Sequence, residues 1–245
     1  MDLTSQKYIF SGKIIPERTP VNIQKLNGAI INQEGDIICE LQTSIINSQI
    51  SILGTPKKEI TDIIELKNDI EDFIRFQVDI LGYMTSYALE VDITQMTDLS
   101  GNVTIFYTNA CDVSKFHNNR PKKFDEIWPL CFDKNGQYLR LCLNDLREAI
   151  RKRNDKGFFC YRSIECLRQY FIDKGLDDKN SWDLMKSELN IKRENIDFIK
   201  NYADPVRHGR RITFSKEEAE KMLEITWKII DNYIVYACNG YKKNS

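Results

Sequence analysis

The sequence has few of the residues that build metal sites and disulfide frameworks. Its 245 residues include only two histidines, His117 and His208, and its seven cysteines are scattered, with no pair in the C-x-x-C spacing. An odd, scattered set of thiols with so few histidines argues against a zinc site and against a disulfide scaffold. We therefore expect reduced cysteines that pack as small hydrophobic side chains, and no metal or other cofactor.

Long apolar runs and an excess of one charge are also missing. No stretch approaches the roughly 18 uninterrupted apolar residues of a membrane-spanning helix, and residues 1–6 do not open a basic and then apolar signal sequence. We therefore expect a cytoplasmic protein with no membrane partner. The 35 Lys and Arg balance 36 Asp and Glu to give a net charge of -1, which argues against a surface that is basic throughout but is compatible with a local basic patch.

The first part of the chain has the pattern of an α+β domain. Short segments rich in Ile and Thr and bounded by turn residues predict strands, at residues 8–15, within 29–53, and at 83–94 and 103–108. Thr55-Pro56 has the residue types of a helix start. The apolar spacing from Ile60 to Leu81 then predicts an amphipathic helix of about six turns lying on the sheet. Residues 1–113 are therefore predicted to form this domain.

The rest of the chain is predicted to be a connector followed by a helical bundle. Residues 114–137 are irregular and partly basic but rich in aromatic residues, so we expect a connector that packs against the body of the protein. In residues 138–245 the apolar spacing is helical. It predicts a helix capped by Asn144, helices near 158–174, 181–189 and 193–202, and a last helix that starts with the capping box Ser215-Lys216-Glu217-Glu218. Several amphipathic helices with short connections predict an all-α antiparallel bundle.

The densest polar feature of the helical part is the segment Asp204-Pro205-Val206-Arg207-His208-Gly209-Arg210-Arg211. We expect it to form a loop, because proline does not continue a helix. Its three arginines suit phosphate, which guanidinium groups hold in a fork. His208 can exchange a proton with an RNA 2′-hydroxyl while Arg207 stabilises the developing charge, without a metal. The alternative is a structural turn whose arginines pair with nearby acidic residues.

Two features of the helical part resemble the HEPN superfamily of small, usually dimeric helical bundles. They are the helix segment Tyr161-Arg162-Ser163-Ile164-Glu165-Cys166-Leu167-Arg168-Gln169-Tyr170-Phe171 and the Asn201…Arg207-His208-Gly209 segment before a capped final helix. The resemblance implies a homodimer of an antiviral defence or toxin–antitoxin system that binds RNA, and a metal-independent ribonuclease. It also implies site residues, namely Arg207 and His208 as catalytic, Arg210, Arg211, Lys200 and Asn201 as RNA-binding, and Glu165 and Arg162 as supporting.

The sequence departs from the catalytic pattern of that family, which is an Arg followed by four to six residues and then a His. Counting back from His208, the positions where the Arg would stand hold Asn201, Tyr202 and Ala203. Two alternatives follow. Either the cation comes from a neighbouring position, Arg207 or Lys200, or the bundle is not catalytic and serves oligomerisation or the docking of a partner protein.

Three charged features remain. Arg162 and Glu165 lie three residues apart on a predicted helix, so we predict that they pair with each other; the alternative is that Glu165 holds an arginine near His208. The basic segments 115–123 and 151–156 offer secondary RNA contacts. The preferred explanations are solvated charge in a loop for residues 115–123 and stabilising cations at a helix C-terminus for residues 151–156.

Overall fold

The structure, a computed structural model, describes residues 7–32, 34–106 and 124–243. The chain divides into two compact units, residues 1–107 and 108–245. The basic cluster at 115–123 and much of the predicted connector lie outside the described residues. Within the described part, no helix combines the length and the apolar composition needed to cross a membrane.

The first unit is a six-stranded antiparallel sheet with one long helix. Helix α1 spans Ile63–Thr85, and the strands pair in the order β2-β3-β4-β1-β5-β6. The strand bounds are β1 Tyr8–Ile15, β2 Ile23–Ile31, β3 Ile37–Ile46, β4 Gln49–Pro56, β5 Glu90–Asp98 and β6 Val103–Ile105. Alternate strand residues such as Phe10 and Ile14 are buried together with Ile70 and Ile74 of α1 in one core. This α+β architecture confirms the predicted class of the first unit.

The predicted start of α1 is wrong. Thr55 and Pro56 end strand β4, where Pro56 pairs with Cys39 of β3. The helix begins after Asp62, whose Oδ1 accepts hydrogen bonds from the backbone N–H groups of Ile64 at 2.8 Å and Glu65 at 3.0 Å. An aspartate in this position satisfies donors that have no partner within the helix. At its other end α1 extends to Thr85, so residues 83–85 are helical and not part of a strand.

The second unit is helical, as predicted. Its helices are α2 Phe124–Leu130, α3 Gly136–Arg151, α4 Lys156–Ile172, α5 Asp178–Glu188, α6 Arg193–Arg207 and α7 Lys216–Cys238. Helix α4 is central, because it contacts α3, α5, α6 and α7, and Ile164, Leu167 and Phe171 on it are fully buried. The predicted capping box is present at the start of α7, with Ser215 and Glu218 bonding each other's backbone N–H groups.

Three predicted boundaries in this unit are wrong. Residues predicted as irregular connector form α2 and the start of α3. Asn144 is not a cap, because α3 already begins at Gly136 and its buried face continues through Leu139 and Cys142. Helix α6 does not stop before proline but includes Pro205. Pro205 removes one N–H donor from the helix, and α6 ends two residues later, at Arg207.

Candidate functional site

The predicted Arg-His loop is only partly a loop, because residues 204–207 form the last turn of α6 and residues 208–211 follow the helix as a turn and irregular backbone. His208 is the C-cap residue, and Gly209 follows in the left-handed region with φ 74°. The backbone N–H of Arg210 donates to the carbonyl of Pro205 at 2.9 Å, which is the six-to-one hydrogen bond of a Schellman motif. The segment is therefore a helix end that Gly209 terminates, and its conformation is fixed by backbone hydrogen bonds.

This helix end presents four predicted site residues to solvent, Arg207, His208, Arg210 and Arg211. Within the described part of the chain, no carboxylate pairs with Arg210 or Arg211, and no group bonds the imidazole of His208. Cations are favourable here, because the C-terminus of a helix carries partial negative charge. The two arginines can therefore bind an external anion without first breaking an ion pair with any described residue.

Arg207 lies near one carboxylate and acts electrostatically on a second. Its Nη1 atom is 3.9 Å from Oδ1 of Asp204 in the preceding turn of α6. Its charge also acts on Glu165 of α4, which is half-buried. Burial raises the pKa of the Glu165 carboxyl, and the positive charges of Arg207 and Arg168 oppose that rise. Among the described residues Glu165 forms no ion pair with Arg207, so the second pairing considered for Glu165 is not observed either.

Arg162 does not pair with Glu165, so that prediction is wrong. Its Nη2 atom lies 2.8 Å from Oδ1 of Asp145 on α3, and its Nε donates to Oδ2 at 3.2 Å. The Asp145 side chain is only 2% exposed, whereas that of Arg162 is 47% exposed. A carboxylate buried this deeply needs a cation. Arg162 therefore holds α3 and α4 together and does not support the end of α6.

Helices α5 and α6, with Tyr161 of α4, form a cleft of about 340 Å³. Lys200, one of the predicted RNA-binding residues, lines it, whereas its neighbour Asn201 is exposed and does not. The more buried part of the lining is apolar and aromatic and consists of Tyr161, Trp182 and Ile196. The remaining lining residues are charged: Asp178, Lys179, Asp183, Lys186, Arg193, Asp197 and Lys200.

The cleft and the basic helix end lie along one face of α6. Charged residues recur on this helix at alternating spacings of four and three, at Arg193, Asp197, Lys200, Asp204 and Arg207. Such spacings place side chains on one face of an α-helix. The two features therefore form a continuous charged surface. The spacing of charges along α6 is visible in the sequence and could have indicated this surface. Tyr161 and Trp182 were not predicted as site residues, because no spacing in the sequence connects α4 with α5.

The described residues offer neither a metal site nor an activated thiol. They include no group of three or more His, Cys, Asp or Glu side chains placed to hold a metal ion. Burial raises the pKa of Cys160 to about 11 and that of Cys166 to about 12. Because the thiolate is the nucleophile, these thiols are unsuited to attack a substrate. The chemistry available at the site is therefore that of cations, carboxylates, aromatic rings and one imidazole.

Comparison with known families divides the chain at the same place as the structure. Residues 8–107 match the family model described as Domain of unknown function (DUF8168) N-terminal domain. Residues 124–238 match the model described as Domain of unknown function (DUF8168) C-terminal domain. No curated protein and no solved structure matches the chain. The chain therefore carries the N-terminal and the C-terminal domains of the DUF8168 family, one after the other.

Proposed function

We propose that the helical unit is a HEPN-like module that binds RNA in a prokaryotic defence or toxin system, and that the end of α6 contacts the phosphates. One observation carries this proposal: Arg207, Arg210 and Arg211 are grouped with His208 at one exposed helix end, and no described carboxylate pairs with Arg210 or Arg211. Planar guanidinium groups bind phosphate oxygens in pairs. Accessible arginines outside ion pairs give this end an affinity for a polyanion.

The helix arrangement supports the HEPN likeness. The segment from Tyr161 to Phe171 lies on the central helix α4. The Arg-His segment ends α6, and the next helix, α7, starts with a capping box at Ser215. These are the elements that carry the resemblance in the sequence. The defence or toxin context follows from this likeness alone.

RNA cleavage without a metal is the second candidate function. It is favoured by the position of Arg207 directly before His208 at the exposed helix end, where a guanidinium can stabilise a charged transition state. However, no described group orients the imidazole, and general acid–base catalysis requires a positioned donor and acceptor. A second copy of the chain, as the HEPN likeness implies, would have to complete the site. Binding is therefore the better supported function.

The binding proposal is tested with a fluorescently labelled single-stranded RNA and the double variant R210E/R211E. We expect the wild-type protein to raise the fluorescence anisotropy of the RNA and the variant to bind far more weakly. Each phosphate contact contributes about 0.7 to the slope of log affinity against log salt for a single strand, so the loss of two contacts lowers that slope by about 1.4. The control K242E/K243E makes the same charge change elsewhere; equal binding by all three proteins would contradict the proposal.

Cleavage is tested separately on total RNA without added metal. The wild-type protein is compared with His208→Ala and Arg207→Ala. Cutting by the wild type that both substitutions abolish would establish the second candidate function. Intact RNA with all three proteins, under conditions in which the wild type binds, would leave binding as the only function of the helix end.

A further inference from the structure

The cleft between α5 and α6 contains polar groups that no described residue satisfies. Tyr161 is only 5% exposed, yet no described group bonds its hydroxyl. The indole N–H of Trp182 is also without a described partner. Neither atom is a buried polar atom without a partner, so both are open to the cleft, where a hydrogen-bond acceptor can replace solvent. Both residues line the cleft, so a ligand with hydrogen-bond acceptors would satisfy them.

The charges of the cleft favour an anion. Each of its three carboxylates already has a cation, because Asp183 pairs with Lys186 at 2.7 Å, Asp197 pairs with Arg193 at 3.3 Å, and Asp178 pairs with Arg168. Two lining cations remain without a carboxylate in the described part of the chain, Lys179 on α5 and Lys200 on α6. The groups of the cleft that have no described protein partner are thus a phenol, an indole N–H and two ammonium groups. These groups recognise a ligand that is negatively charged and rich in acceptors.

The shape and the aromatic lining indicate that part of this ligand is flat. The rings of Tyr161 and Trp182 are stacked, with their centroids 6.0 Å apart and an angle of 29° between their planes. Arg168 also lies over the Trp182 ring, 4.6 Å from its centroid, so a ligand can contact only the part of the indole that Tyr161 and Arg168 leave open. Aromatic side chains are the usual contacts of unstacked nucleobases. The cleft volume of about 340 Å³ lies at the lower end of the range of ligand sites, about 300–1,000 Å³. A small ligand with one planar ring system and one anionic group fits these conditions.

We infer that the cleft binds a single unstacked nucleotide, with its base against Tyr161 and Trp182 and its phosphate between Lys179 and Lys200. The inference rests on the proposed function in so far as this nucleotide belongs to a bound RNA strand. Lys200 and Arg207 share one face of α6 and lie seven residues apart, which corresponds to about 10 Å along the helix axis. A single strand spans this distance within a few nucleotides, so one RNA reaches both the cleft and the helix end.

The test uses the same single-stranded RNA with variants of the cleft. We expect Trp182→Ala to weaken binding about tenfold, since one base–aromatic stack contributes within that order. We expect Tyr161→Phe, which removes only a hydroxyl, to weaken it about threefold. The matched control is Trp128→Ala, which removes an exposed tryptophan of α2 that does not line the cleft; its affinity should equal that of the wild type. Circular dichroism checks that each variant is folded.

The outcomes separate this inference from the proposed function. If R210E/R211E loses binding while Trp182→Ala and Tyr161→Phe bind like the wild type, RNA binding stands and the nucleotide cleft is refuted. If Trp182→Ala and Trp128→Ala weaken binding equally, the cleft has no special role and is refuted as well. Should Trp182→Ala unfold, the conservative Tyr161→Phe variant still decides, because unchanged affinity in that folded variant contradicts the inference.

A second arm distinguishes an RNA nucleotide from a free one. AMP is titrated into the wild-type protein and into Trp182→Phe while tryptophan fluorescence is recorded. Saturable quenching in the wild type that is lost in Trp182→Phe shows that a lone nucleotide occupies the cleft. If this quenching occurs and the wild-type protein does not bind RNA, the cleft is a site for free nucleotides and the proposed RNA function fails. If the protein binds neither AMP nor RNA, both the cleft inference and the proposed function are wrong.

Discussion

Replacing Arg162 by Ala should destabilise the helical unit more than removing an exposed arginine does. The guanidinium holds the carboxylate of Asp145, with Nη2 2.8 Å from Oδ1, and that carboxylate is only 2% exposed. Without Arg162, the one side-chain partner of Asp145 among the described residues is the thiol of Cys166, whose sulfur lies 3.3 Å from Oδ2. Removing one partner of a buried pair costs about 3–5 kcal/mol. The Arg162 side chain is 47% exposed, so its removal lets water reach Asp145. We therefore expect the free energy of unfolding to fall by about 2–3 kcal/mol.

The opposite substitution should cost less. Asp145→Ala removes the buried charge itself and leaves Arg162 half in solvent, about 5.6 Å from the ring centres of Phe158 and Phe159. We expect a loss of about 1 kcal/mol, as for one hydrogen-bonded group, and a similar loss in the double variant R162A/D145A. The matched control is Arg147→Ala on α3, since Arg147 is 61% exposed and lies 3.1 Å from Glu148; exposed pairs contribute at most about 1 kcal/mol.

Urea unfolding followed by tryptophan fluorescence measures these differences in the helical unit alone. All three tryptophans of the chain, Trp128, Trp182 and Trp227, lie in this unit. The reasoning is refuted if Arg162→Ala costs no more than Arg147→Ala, or if Asp145→Ala costs more than Arg162→Ala. Because Arg162 contacts α3 and not the end of α6, folded Arg162→Ala should bind RNA like the wild type.

Three further predictions follow from burial and backbone geometry. Burial raises the pKa of Tyr161 to about 12. The protonated hydroxyl therefore stabilises the fold fully below a pH of about 10, the pKa of an unfolded tyrosine, and this stabilisation is lost as the pH rises towards 12. Tyrosinate absorbance and tryptophan fluorescence should change together in that range. Burial raises the pKa of Cys39 to about 11 and of Cys166 to about 12, so Ellman's reagent should label exposed Cys238 at once and these two thiols only after urea is added. Gly209→Ala should lower the free energy of unfolding, measured in a thermal melt, by about 1 kcal/mol. The loss comes from backbone conformation alone, because an added Cβ there meets no atom within 4 Å.

The fold could be predicted from the sequence wherever a local pattern decides it. Asn and Ser are turn-forming residues, and Asn47-Ser48 joins β3 to β4 with both residues at positive φ. Ser215 was read as a cap, and it caps α7. The prediction failed where distant contacts decide, as at Thr55-Pro56, whose residue types suit a helix start but whose backbone pairs with β3. Pairing with a neighbouring strand outweighs a local preference.

The ion pairs of the helical unit show why the site could be predicted only in part. Spacing made Glu165 the nearest sequence partner of Arg162, and such a pair on an exposed helix contributes only about 0.2–0.5 kcal/mol. The need of buried Asp145 for a cation is several times larger, so Arg162 points to α3 instead. Which helix faces another is set by packing around α4. The residues of the candidate site could be named from the sequence, but their partners depend on how the helices pack.

The charge at the end of α6 decides how strongly it can attract a phosphate. Arg207, Arg210 and Arg211 contribute three positive charges, Asp204 contributes one negative charge, and the helix terminus adds about half a negative charge, which leaves about +1.5. Replacing Arg210 and Arg211 by Ala reduces this sum to about -0.5, and replacing both by Glu reduces it to about -2.5. Alanine should therefore already abolish the attraction, and glutamate should turn it into repulsion. If the Ala pair bound RNA as tightly as the wild type, the phosphate contact would have to lie elsewhere on the chain.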